Sequence, residues 1–285
     1  LRDFMTKPLL HFCHGNSFPS GTYRQLLDGL AAHYEVGMTD MVGHDPRYPV
    51  DDNWSNLVDE LIAALAADFA RHGRPAILVG HSLGGMLCTM AAARRPDLAR
   101  CVVMLDSPVV AGWRALAWRL VKLLGKGTRF SPARFSERRR NVWPDRAAAR
   151  AHFLSKDIFA AWAPGVIDDY LDVGLKPHPQ GVQLRFDRAV ETAIYNSLPH
   201  HLGELIASDF PVPVGFIGAT RSQELRQAGL SSTRKLVGDN FVMTEGSHLY
   251  PMEAPGRAAQ LTHEMIVRLL GAQPGEDARL AERQA

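Results

Sequence analysis

Gly80-His81-Ser82-Leu83-Gly84 fits the pattern G-x-S-x-G and is followed at once by Gly85. It comes directly after the apolar run Ala76-Ile77-Leu78-Val79 and opens a helical pattern that extends from Leu83 to Arg95. Strand, sharp turn and helix form the context in which this motif presents a serine as a nucleophile. The bend is so tight that its neighbours must be nearly free of side chains. Glycines at the flanking positions let strand, turn and helix pack without collision, and the Ser82 hydroxyl is lifted over the sheet. The Leu83 amide, at the helix start, then points at whatever the serine attacks and can stabilise negative charge on oxygen. The bland alternative, a glycine-rich turn with an idle serine, requires this placement to be accidental.

A serine hydroxyl at its free pKa is a poor nucleophile and needs a base. The chain has 12 histidines, so residue type alone decides nothing. Position does: His248, in Gly246-Ser247-His248-Leu249, follows a late apolar strand and precedes the closing helical pattern. The first strand ends in His14-Gly15-Asn16, and the Asn16 amide is the candidate for a second donor beside that of Leu83. His14 is read as a structural loop residue. So are His81, beside the serine, and His44, in Gly43-His44-Asp45.

The elements that must position these groups alternate. Leu9–Cys13 reads as a buried strand, Tyr23–His33 as a helix, and Tyr34–Met38 as a weaker strand. Asn56–Arg71 is an amphipathic helix, Ala76–Val79 a strand, Leu83–Arg95 a helix stopped by Pro96, and Cys101–Leu105 a strand. Strands apolar on both faces and separated by helices predict a doubly wound, mostly parallel α/β sheet with both faces covered. The alternation breaks from Val109 to about Gly203 and then resumes. Val212–Ile217 and Asn240–Met243 read as strands, and Gln223–Leu230 and Ala258–Leu270 as helices. The expected organisation is a core over residues 1–108 and 205–271, an inserted helical cap over 109–204, and a flexible polar tail over 272–285. Sites of such folds lie in loops at the carboxyl ends of the strands.

Composition narrows the rest. The 285 residues are 46% hydrophobic and 22% charged, ordinary globular usage. With 32 basic and 30 acidic side chains the net charge is +2, which gives no reason to expect nucleic acid as a partner. Cys13, Cys88 and Cys101 sit in apolar segments without paired spacing, so no disulfide framework or zinc site is expected. No run approaches the roughly 20 apolar residues that span a bilayer. Residues Leu1–Met5 lack the apolar stretch of a secretory leader. A cytoplasmic protein acting on a small-molecule substrate is expected.

Taken together, His14-Gly15, Gly43-His44, Gly80–Gly85, and Gly246-Ser247-His248 with Glu253 and Pro255 resemble the α/β-hydrolase fold superfamily. The resemblance covers about residues 8–108 and 205–270. It implies a serine hydrolase that needs no metal or organic cofactor. Members usually carry two further strands before the His-Gly strand, and only a few residues precede it here. In most relatives the acid that orients the histidine follows the penultimate strand. That loop reads Gly218-Ala219-Thr220-Arg221-Ser222-Gln223-Glu224, and its only carboxylate is Glu224. Asp106, at the end of the strand after the nucleophile strand, is the other candidate, and some branches draw their acid from there. Asp106 is preferred, with Glu224 kept open. The His-Gly-Asn sequence is similar to that of dehalogenases, but their chemistry needs an aspartate nucleophile, because Ser82 would form an ether that water does not cleave.

The cap carries its own signals. Residues 112–140 hold nine basic side chains and one acid, Glu137. Trp113, Leu116, Leu120 and Leu123 fall on one helical face. Such a helix can lie on a membrane, but in a cap it is expected to pack its apolar face over the pocket and leave its charges in water, so a membrane surface is not expected as a partner. Phe153, Phe159, Trp162, Tyr170, Tyr195 and Leu198 suggest a partly hydrophobic substrate. The expected reaction is hydrolysis of a carboxylic ester through an acyl-enzyme. Cleavage of a C–C bond, lactone or thioester by the same residues is the alternative, as is a binding protein with an incomplete triad.

Overall fold

The computed structural model describes residues 7–124, 133–206 and 209–271. The tail expected at 272–285 lies outside the described residues. The first third forms four strands, β1 (Leu9–Cys13), β2 (Glu35–Thr39), β3 (Ala76–His81) and β4 (Ala99–Leu105). Three helices connect them in turn, α1 (Arg24–Ala31), α2 (Ser55–His72) and α3 (Leu83–Arg94). The insert begins with α4 (Trp113–Leu123) and contains three short strands, β5 (Val142–Trp143), β6 (Leu175–His178) and β7 (Gly181–Leu184). The chain then returns to the core with β8 (Val214–Ala219) and β9 (Phe241–Thr244), and helix Pro255–Leu270 follows.

The core sheet has the order β2-β1-β3-β4-β8-β9, and every neighbouring pair is parallel. Residue alternation divides the apolar side chains between its two faces. Leu10, Phe12, Ile77, Val79, Val103 and Leu105 pack in one cluster with Leu26 and Leu30 of α1 and Ala258 and Met265 of the last helix. Leu9, Cys13, Leu78, Val102 and Met104 pack in the other with Leu57, Leu61 and Leu65 of α2 and Leu87 of α3. All three cysteines are buried and unpaired. Both faces are therefore sealed by helices, which is why β1 and β3 are buried along their whole length. Emptying a position such as Phe12 would cost about 3–5 kcal/mol. The edge strands β2 and β9 are only partly buried. A Cβ on Gly37 of β2 would lie 2.9 Å from the Asp68 Oδ2.

Strand order also locates the crevice. From β1 the chain moves outward to β2, then crosses back past β1 to β3. The loops after β1 and β3 thus leave adjacent strands in opposite directions, the topological switch point where open α/β sheets form clefts. His14-Gly15-Asn16 and Ser82 occupy those two loops.

The insert differs from the expected helical cap in two respects. Besides helices such as Arg146–Leu154, Val166–Gly174 and Arg188–Asn196, it contains an antiparallel sheet of order β5-β7-β6. Strands of two to four residues are too short to leave a period in the sequence. The second difference is a correction. Trp113, Leu116, Leu120 and Leu123 of α4 do not pack over a pocket; all four are exposed. The inward side of α4 is Ala115, Trp118 and Lys122. The Trp118 indole donates to the Leu198 carbonyl at 3.0 Å, and the Lys122 ammonium meets Asp52 at 2.5 Å. The apolar interior of the insert is filled instead by Trp143, Phe153, Trp162 and Tyr170, packed at tilted or edge-to-face angles with one another or with Phe18 and Phe159. Among the described residues, no helix is long and apolar enough to cross a membrane.

Candidate active site

Ser82 sits between β3 and α3 with φ 52° and ψ −116°. A non-glycine residue in this region carries strain of about 1–3 kcal/mol, which the surrounding bonds hold in place. The Ser82 amide donates to the Leu105 carbonyl at 3.0 Å, and the Ser82 carbonyl accepts from the Ser107 hydroxyl at 2.7 Å. The glycines are required by close approach. A Cβ on Gly80 would lie 2.3 Å from the Gly84 backbone, and one on Gly84 would lie 2.0 Å from the Cys13 carbonyl oxygen. Those contacts let α3 start directly against the ends of β1 and β3.

His248 lies in the loop after β9. Glu253 holds that loop, accepting from the Ser247 amide at 3.0 Å and from the Ser247 hydroxyl. The loop delivers the His248 Nε2 to 3.0 Å from the Ser82 Oγ and the Nδ1 to 2.7 Å from the Asp106 Oδ1. A carboxylate only accepts, so the proton sits on Nδ1 and the Nε2 lone pair faces the serine hydroxyl.

Asp106 follows β4 with φ 46° and is fully buried. It caps no helix. Its Oδ2 accepts from the Ala219 amide at 2.7 Å, and its Oδ1 accepts from the Ser222 hydroxyl at 2.6 Å as well as from His248. Glu224, the rival acid, is half exposed, with its Oε2 3.9 Å from the His248 Nδ1. It shares the Ser222 hydroxyl at 3.3 Å. Asp106 is therefore the direct partner and Glu224 a second negative charge behind it. Burial opposes the charged form of His248. The hydrogen bond to Asp106 and the charges of Glu224 and Asp106 outweigh it, so the imidazole pKa stands above its ordinary value.

The other candidate histidines take structural places. His14 donates its Nδ1–H to the Gly15 carbonyl at 2.8 Å and accepts the Val42 amide on Nε2 at 2.8 Å. Burial lowers its pKa to about 4. His44 bonds the Val42 carbonyl and accepts the Asp187 amide at 3.0 Å, tying the core to the insert. His81 donates Nε2–H to the His248 carbonyl at 2.8 Å, and its Nδ1 accepts from the Tyr23 hydroxyl at 2.7 Å. The Tyr23 oxygen in turn accepts the Gly15 amide at 3.0 Å. Burial, then the nearby His248, hold the His81 pKa well below its ordinary value. A neutral imidazole therefore links the His14-Gly15-Asn16 loop to the His248 loop.

The two expected amide donors, Asn16 and Leu83, lie on the loop after β1 and at the start of α3. Leu83 is the first residue of α3, so its N–H has no acceptor within the helix. The Gly15 amide is taken up by Tyr23, which leaves the Asn16 amide as the next donor on that loop. The Asn16 side chain is buried and donates to the Glu191 carbonyl at 3.2 Å. A cavity of about 830 Å³ opens beside His248. Phe18, Phe153, Phe159 and Tyr195 line it, together with Arg139, Lys156, Arg221 and Glu224. Of the aromatic residues expected over the pocket, Trp162 and Tyr170 are buried in the insert's interior instead.

Sequence reasoning missed Tyr23 and the bonding of Ser222. Tyr23 lies in a short helical turn, Ser20–Tyr23, with no motif around it. Ser222 had a positional signal, because it stands in the loop where an acid was sought.

Comparison with known proteins extends the picture. A sequence model of the alpha/beta hydrolase family matches residues 12–261. A pimeloyl-[acyl-carrier protein] methyl ester esterase of Xanthomonas campestris pv. campestris is 31% identical over 101 residues, 35% of this chain and 38% of that protein. A 2-(acetamidomethylene)succinate hydrolase of Mesorhizobium japonicum is 35% identical over 107 residues, 37% of this chain and 38% of that protein. Lipase LipV of Mycobacterium tuberculosis is 33% identical over 150 residues, 51% of this chain and 49% of that protein. The matched stretches thus span half or less of these relatives. Among solved structures, E-2-(acetamidomethylene)succinate hydrolase superposes with a TM-score of 0.70 at 24% identity, covering 92% of each chain.

Proposed function

The chain belongs to the alpha/beta hydrolase family, and from that premise we propose that it is a serine hydrolase of carboxylic esters. The observation that carries the reading is the pair of contacts at His248, 3.0 Å to the Ser82 Oγ and 2.7 Å to the Asp106 Oδ1. His248 removes the Ser82 proton through Nε2, and Ser82 attacks the ester carbonyl. The amides of Leu83 and Asn16 hold the oxyanion. His248 returns the proton to the leaving alcohol. Water, deprotonated by the same nitrogen, then attacks the acyl-enzyme and releases the acid. Asp106 fixes the imidazole tautomer and stabilises the imidazolium.

The aromatic lining of the cavity beside His248 supports a substrate with a hydrophobic acyl or alcohol part. An ester is favoured because two of the three relatives bear names of ester hydrolases. The same residues suit thioesters, lactones or a C–C bond next to a ketone. A panel of p-nitrophenyl esters run beside a thioester, a lactone and a vinylogous diketone separates these. The direct test is a fluorophosphonate probe read by intact mass. The wild type gains one adduct, and Ser82→Ala gains none and hydrolyses no ester while remaining folded. An unlabelled wild type, or an active Ser82→Ala, would falsify the assignment.

A further inference from the structure

The helix α4 is inside out by the standards of a soluble protein. Trp113, Leu116, Leu120 and Leu123, with Leu124 just beyond, are 56% to 75% exposed. These five are among twelve large exposed hydrophobic side chains in the described residues, so the excess is concentrated in one short segment. At 3.6 residues per turn they form a single stripe about 100° wide. The opposite side, which packs on the protein, includes a lysine: the Lys122 side chain is nearly buried and bonds to Asp52, Asn53 and the Leu198 carbonyl. The sequence of α4 thus places its polar anchor inward and its leucines in water.

Charge identifies the occupant. Arg114 and Arg119 lie one on each flank of the stripe, and the Arg114 guanidinium stands 4.7 Å over the Trp113 ring. Residues 113–124 contain three basic side chains and no acid, and since Lys122 is turned inward, Arg114 and Arg119 are the cations beside the stripe. A second copy meeting this face across a two-fold axis would set these arginines against their own images, with no carboxylate on α4 to receive them. An anionic bilayer supplies both halves of the complement. Acyl chains take the tryptophan and leucines, and negative headgroups take the flanking arginines. We propose that α4 docks the protein on the surface of an anionic lipid bilayer. The docking is independent of the ester chemistry at Ser82.

The experiment is co-sedimentation with vesicles of phosphatidylcholine alone and with about 30% phosphatidylglycerol. It compares the wild type with the double variant Leu116→Glu, Leu120→Glu. The wild type should pellet with the anionic vesicles, at least about tenfold more than with the neutral ones, and high salt should weaken this binding. The variant should stay in the supernatant while keeping its circular dichroism and its turnover of a soluble ester. Equal partition of wild type and variant overturns the proposal. So does a wild type that ignores anionic vesicles, whether it is monomeric or forms a dimer that the variant abolishes in sedimentation velocity. Unchanged ester turnover in the variant separates a failure of docking from a failure of the active-site reading.

Discussion

His81 donates its Nε2–H to the backbone carbonyl of His248 at 2.8 Å. The residue just before Ser82 therefore holds the loop that carries His248. Its other nitrogen accepts from Tyr23, whose oxygen accepts the Gly15 amide. Every donor in this chain has one acceptor, and the chain is buried, where an orphaned group costs about 1–3 kcal/mol. Tyr23→Phe removes the link and leaves the Gly15 amide without its acceptor. We expect kcat to fall about tenfold to a hundredfold with KM nearly unchanged, because the loops carrying His248 and Asn16 shift relative to Ser82. Steady-state kinetics on a p-nitrophenyl ester reads both constants. A rise in KM alone would assign Tyr23 to substrate binding.

Asp106 and Glu224 should separate sharply. Asp106→Asn keeps the shape but cannot fix the tautomer, and turnover should drop by about 10⁴. Glu224→Gln leaves the 2.7 Å contact of Asp106 with His248 in place, and kcat at the pH optimum should change little. Comparable losses in both variants would reject Asp106 as the direct partner.

The pH profile carries a second signature of Glu224. The pKa of His248 stands above its ordinary value, and in the proposed mechanism the imidazole must be neutral to take the Ser82 proton. Activity should therefore be lost, as pH falls, at a midpoint above the ordinary imidazole value of about 6.5. Glu224→Gln removes a negative charge that favours the imidazolium. Its acidic limb should move to lower pH. A midpoint that stays put in a kcat/KM profile would show that Glu224 has no electrostatic hold on His248.

Acid stability follows from His14. Its pKa is about 4 when folded because burial excludes the charge, against about 6.5 in the unfolded chain. Between these values the unfolded state binds more protons, so stability falls as pH drops from about 6.5 towards 4. Fully expressed, the loss from this group is about 3 kcal/mol. Urea melts at intervals across that range should show it, and His14→Asn should flatten the slope. An unchanged slope would place the acid sensitivity elsewhere.

Gly84→Ala tests the packing of the elbow. Its Cβ would lie 2.0 Å from the Cys13 carbonyl oxygen, and both partners are backbone, so no side chain can swing aside. A stability loss of about 3 kcal/mol or more is expected, read by urea denaturation. A variant as stable as the wild type would mean that α3 can move away from β1.

Much of the core was legible in the residues. Apolar runs marked β1, β3 and β4 because these strands are buried on both faces. The edge strand β2 was placed only one residue early. The glycines around Ser82 announced the elbow because the steric demand there is local. The loop at 218–224 was harder to read. It lacks the expected aspartate, yet Ser222 occupies that region and bonds the carboxylate of Asp106. Within the insert, neither the short strands nor the facing of α4 could be read from periodicity. Its helical period is clear, but a period gives an apolar face and not the direction in which it points.

The sequence by itself determined what short-range sterics and burial dictate: the alternation of strands and helices, the tight turn at Ser82, and a histidine loop after the last core strand. The tertiary structure decided which groups meet. Asp106 and Ser222 are 116 positions apart and touch because β4 pairs with β8, with Leu105 beside Ile217. That pairing is a choice among non-local partners, made by the packing of the whole sheet, and no local pattern encodes it. The outward face of α4 was decided in the same way, by an insert whose interior is filled with aromatic rings and by a lysine that bonds inward.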